Sequence, residues 1–60
     1  MKIFREWLFE DTESGEMFLV ETINGDENDA IAIANECFDT PKLINEVSEF
    51  EAEMLGYDTY

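Results

Sequence analysis

Histidine is absent from the chain, and basic residues are nearly so: Lys2, Arg5 and Lys42 are all there are. Without imidazole, the commonest general base and metal ligand is missing. Cysteine occurs once, at Cys37. Small secreted domains are normally held by paired cysteines, so a lone one points to a reducing, cytoplasmic setting. Glycine is scattered at Gly15, Gly25 and Gly56, which leaves no glycine-rich loop to cradle a phosphate. No apolar run approaches the roughly 20 residues that span a bilayer. The opening MKIFREWLFEDT turns acidic too soon to read as a signal peptide.

What is present is acid. Sixteen Asp and Glu residues give a formal net charge of −13 on 60 residues. Such a surface repels phosphate backbones and anionic lipids, which argues against direct nucleic-acid or membrane binding. Yet 45% of the residues are apolar, among them one Trp, two Tyr and five Phe. That is too hydrophobic for a solvating acidic tail and implies one folded domain over residues 1–60. A chain this short buries only roughly 60% of the surface its unfolded form exposes, so its stability is marginal.

The pattern predicts an α+β fold. KIFREWLFE (Lys2–Glu10) and MFLVETI (Met17–Ile23) read as strands, joined through DTESGE with Gly15 in the turn. Alternation puts Ile3, Arg5, Trp7 and Phe9 on one side of the first strand and Phe4, Glu6, Leu8 and Glu10 on the other. In the second strand Met17, Leu19, Glu21 and Ile23 oppose Phe18 and Val20. Both faces of the hairpin are therefore apolar. Either further elements wrap the second side, or a partner does.

A helix follows Asn24-Gly25, with Asp26, Glu27 and Asp29 at its start, where acids complement the exposed N–H groups and the helix dipole. Ala30, Ile33, Ala34 and Cys37 form its apolar stripe, with Ile31 and Phe38 at the edge. Pro41 ends it. The last third has two readings. Thr40 caps one long helix, or KLINEV (residues 42–47) is a third strand and Ser48 caps a short helix with Val47 stapled against Ala52. The weakness of an isolated hairpin favours the strand. Either way SEFEAEML is helical, with Phe50, Met54 and Leu55 expected inward, Glu49 and Glu53 outward, and Gly56 as the stop.

Chemistry finds little footing. Cys37 has acidic neighbours, Glu36 and Asp39, and sits on an apolar stripe, so packing is its expected role. NGDENDA fails the calcium-loop spacing, because its glycine precedes the acids and no glutamate closes it. No catalytic, cofactor-binding or metal-ligating set emerges, and a non-enzymatic protein is expected.

The acidity exceeds the net charge magnitude of about 2–8 that solubility asks of a small domain. The excess costs stability through self-repulsion, which a basic partner would offset. Three clusters stand out: Asp11, Glu13 and Glu16; Asp26, Glu27 and Asp29; and Glu46, Glu49 and Glu53. In type and composition the chain resembles the small phage- or mobile-element-encoded inhibitors that imitate DNA, such as anti-restriction and anti-CRISPR proteins. The resemblance implies an inhibitor occupying the basic nucleic-acid-binding cleft of a host protein. Asp26, Glu27, Asp29, Glu46, Glu49 and Glu53 are the expected contact carboxylates. The alternative is an adaptor module, or a homodimer, binding through the apolar hairpin face of Trp7, Phe9, Phe18 and Val20.

Overall fold

Gly15, at φ 77°, turns the chain back between β1 (Phe4–Asp11) and β2 (Met17–Ile23), and its N–H donates to the Asp11 carbonyl at 2.7 Å. In the computed structural model, which describes residues 1–60, the two strands pair antiparallel with Trp7 opposite Val20 and Phe9 opposite Phe18. α1 (Glu27–Cys37) follows, then β3 (Pro41–Val47) and α2 (Glu49–Leu55). β3 lies antiparallel along the other side of β1, giving the order β2-β1-β3. Of the two readings of the last third, the strand is the one that forms. Pro41 opens it at the sheet edge, where a missing N–H breaks no ladder bond.

Connectivity explains why the helices part company. β2 and β3 are both antiparallel to β1, so they run parallel to each other, and α1 carries the chain between them. After α2 the chain reaches back across the whole sheet, where Thr59 pairs parallel with Leu19 of β2. Crossovers between parallel strands are almost always right-handed. Two such crossovers running in opposite directions must use opposite faces of the sheet, and they do.

Each face has its own core. Trp7, Phe9, Phe18 and Val20 pack with Ala30 and Ala34 of α1, joined by Ile33, Phe38 and Leu43. Leu19 and Val47 pack with Ala52 of α2, joined by Leu8 and Leu55. The sheet supplies the bulk and the helices supply alanine, which lets them sit close. The stacked rings of Phe18 and Phe38, 3.9 Å between centroids, close the end of the larger core.

Three expectations are corrected here. Trp7 is 4% exposed beneath α1 and its Nε1 donates to Thr22 Oγ1 at 2.9 Å, so the hairpin face that carries it is covered from within the chain. Phe50 and Met54 do not turn inward; α2 packs through Ala52 and Leu55, and the two larger side chains point to solvent. Cys37 is exposed, because Ala30 and Ala34 take the contact with the sheet and Phe38 takes the place beyond them.

Two features were not expected. Leu8 pairs with Asn45 but Phe9 pairs with Leu43, so Ile44 is an extra residue that bulges β3. The bulge switches faces. Leu43 joins the α1 core, whereas Glu46 lies opposite Trp7 and Val47 joins the α2 core. Second, residues 58–60 pair along the outer edge of β2, with Leu19 N–H to Asp58 O at 2.8 Å and Glu21 N–H to Tyr60 O at 2.9 Å. The Tyr60 ring meets Phe18 and Phe38 edge-on at 5.7 and 5.4 Å. Edge-to-face aromatic pairs contribute about 1 kcal/mol each beyond burial. Tyr60→Ala should therefore lower the unfolding free energy by about 1–2 kcal/mol in urea titration, a large share for so small a domain.

Candidate functional site: an acidic pole at the helix starts

The register gathers charge at one end. Phe4 lies opposite Ile23, Glu6 opposite Glu21 on one side and Val47 on the other. The start of β1 and the ends of β2 and β3 thus share one end of the sheet, and each helix begins immediately beyond it. Both helix starts need acceptors for their free N–H groups. Asp26 Oδ1 accepts from Asn28 N–H at 3.0 Å and Asp29 N–H at 3.3 Å, while Asp29 Oδ2 accepts from Asp26 N–H at 2.9 Å. Ser48 Oγ accepts from Glu51 N–H at 3.0 Å. Glu27, Asp29, Glu49 and Glu51 occupy the first turns. With Glu6, Glu21, Asp26 and Glu46, eight of the sixteen acids stand at this pole.

On the α1 face a single cation is embedded among them. The Arg5 guanidinium donates from Nε to Glu46 Oε2 at 3.0 Å and from Nη2 to Glu46 Oε1 at 2.8 Å. It also lies 4.5 Å from the centroid of the Trp7 ring. Arg5 lowers the Glu46 carboxyl below its ordinary value, first through these hydrogen bonds.

The α2 face has no such cation. Phe4, Glu6, Glu21 and Glu49 line a cleft of about 220 Å³, and Glu6 and Glu49 also border a hollow with Glu53 and Tyr57. Glu6 Oε2 is buried without a hydrogen-bond partner. Burial first, then the neighbouring carboxylates of Glu21 and Glu49, raise the Glu6 carboxyl to about 7. It gives up its proton at a higher pH than ordinary surface glutamates do.

The expected contact residues divide accordingly. Asp26, Glu27, Asp29, Glu49 and Glu53 are exposed, though Asp26 and Asp29 also cap α1. Glu46 stands apart from Glu49 and Glu53, turned to the α1 face by the Ile44 bulge and matched by Arg5. Trp7 is enclosed. Asp11, Glu13 and Glu16 lie at the opposite end, around the hairpin turn, where Thr40 Oγ1 and Ser14 Oγ donate to Asp11. Phe4, Glu6 and Glu21 were not expected at the site. Alternation had put them on one sheet side, but not the helix start that closes over them.

The arrangement offers negative charge and hydrogen-bond acceptors beside an exposed aromatic ring. No three acidic or cysteine side chains converge as metal ligands. No helix is long and apolar enough to cross a membrane. Comparison with protein-family models, curated proteins and solved structures finds no match.

The raised Glu6 favours the fold fully below about 4.5, and that contribution fades as pH rises through about 7. Asp11 and Glu46 are lowered, so their contributions hold at neutral pH and are lost in acid. Thermal unfolding should show a midpoint lower by roughly 5 °C at about pH 8 than at about pH 5.5. Glu6→Gln should flatten most of that slope; an unchanged slope would mean the strain lies elsewhere.

Proposed function

We propose that this protein is a non-catalytic inhibitor that binds the basic nucleic-acid-binding cleft of a host defence or DNA-processing protein. The supporting observation is the clustering of eight carboxylates at the pole, against only Arg5 and the nearby Lys2. Spread evenly, sixteen carboxyl groups on 4059 Å² amount to about 250 Å² each. Duplex DNA carries one charge per ~1.7 Å of axis, or roughly one per 100 Å² on a cylinder of ~10 Å radius. Gathering half of the acids at one end moves the local density toward that of DNA.

Recognition of this kind works by exchange of counterions. Lysines and arginines that line a nucleic-acid cleft release condensed anions, and the acidic pole releases cations, when the two surfaces meet. Glu27, Glu49 and Glu51 carry this best, since none has an ion-pair partner in the fold. Glu46 contributes less because Arg5 already answers it.

The hairpin-face alternative loses its premise. Trp7, Phe9, Phe18 and Val20 are all buried under α1.

The test compares charge reversal at the two ends. Glu27→Lys/Glu49→Lys should abolish capture of the partner from host lysate, whereas Glu13→Lys/Glu16→Lys should leave it largely intact. Capture by the unaltered protein should be displaced by added duplex DNA and fall at least tenfold between about 50 and 200 mM salt. A captured protein that duplex DNA does not displace would sink the reading.

A further inference from the structure

We infer that Phe50 and Met54, on the outward side of α2, form the apolar anchor of the same contact, seated in an apolar pocket that the basic partner rims with Lys or Arg. The inference rests on the reading above and adds the part that charge alone does not supply.

Phe50 and Met54 are 74% and 73% exposed, the most open of the large apolar side chains after Met1. They stand one helical turn apart. At 100° per residue they project opposite Ala52 and Leu55, the pair that α2 turns to the sheet. The helix does not need them for its own formation. Ser48 caps its start, Gly56 at φ 68° ends it, and Ala52 packs on Leu19 and Val47. Its seven residues turn Ala52 and Leu55 inward but leave the large Phe50 and Met54 outside, more apolar surface than a helix serving only its own core exposes.

The surroundings specify the occupant. Glu49, Glu51 and Glu53 alternate with Phe50 and Met54, all of them exposed, and α2 contains no basic residue. A second copy docked here would set the same glutamates against each other. An anionic lipid surface would be repelled as strongly. A protein surface with an apolar centre and a cationic border meets both requirements, and aromatic and methionine side chains inside a polar rim are the usual composition of such anchors. The patch is also continuous with the pole, since Glu49 flanks Phe50 and lines the cleft of Glu6 and Glu21.

Three synthetic helical peptides of equal length serve as probes: one with a leucine face and a Lys/Arg rim, one of the same charge with serine for leucine, and one with the leucine face and a Glu rim. Binding is read by fluorescence anisotropy and by amide chemical shifts of the full chain. The basic leucine peptide should bind at least tenfold tighter than its serine counterpart and shift the amides of α2. Phe50→Ser/Met54→Ser should remove that advantage, and Ile31→Ser/Ile44→Ser, which alters two exposed apolar side chains outside α2 and the pole, should keep it. Both pairs face solvent, and circular dichroism checks that each variant folds. Equal binding of the two basic peptides, or no effect of the Phe50/Met54 variant, would overturn the anchor while leaving the acidic-surface reading standing. If neither basic peptide outcompetes the Glu-rimmed one at low salt, the acidic-surface reading falls and the anchor with it. Concentration-dependent dimerisation lost in the Phe50/Met54 variant would assign the surface to a second copy and likewise overturn the inference.

Discussion

A sheet whose two faces are both apolar must be covered twice, and sixty residues leave one short helix for each side. That constraint shapes everything else in the domain. It explains the opposed crossovers, which carry α1 over Trp7 and Phe18 and α2 over Leu8 and Leu19. It also explains the alanines. A helix of seven or eleven residues contributes enough only if it approaches closely, and Ala30, Ala34 and Ala52 permit that approach. The terminal segment completes the cover at the sheet margin, where Asp58 and Tyr60 satisfy the outer N–H groups of Leu19 and Glu21.

The same topology produces the acidic pole as a by-product of helix formation. Antiparallel pairing brings the ends of β2 and β3 together, so both helices start from one end of the molecule. Helix starts favour carboxylates for local reasons, through capping and the helix dipole. Two starts side by side therefore concentrate negative charge without any strand having to be acidic. Glu6 and Glu21 add to this from within the sheet, at a cost visible in the raised Glu6 carboxyl.

Local signals in the sequence were sufficient for much of this. Alternation in KIFREWLFE and MFLVETI assigns the hairpin faces correctly, because a strand's side chains cannot change sides without a bulge. Asp26, Ser48 and Gly56 mark helix ends through chemistry confined to a few neighbouring residues. What escaped was set by distant contacts. Phe50 and Met54 offered one apolar side of α2, but Leu19 and Val47 already fill the space beneath the helix, and the side with Ala52 and Leu55 is the one that packs there. The Glu46–Arg5 pair spans 41 residues and depends on a bulge that no turn residue announces. Pairing of Thr59 beside Leu19 follows a reversal at Gly56 that reads, in sequence, as the end of structure.

Ile44 makes β3 a strand that is counted as much as it is composed. Everything after it owes its side of the sheet to one supernumerary position. Exchanging that side chain for another leaves the count intact, whereas losing or gaining a codon there would transpose Glu46 and Val47, sending a carboxylate beneath α2 and a valine toward Arg5. At position 44 the strand therefore tolerates a change of side chain far better than a change of length. The two halves of the domain are held in phase by a single irregularity.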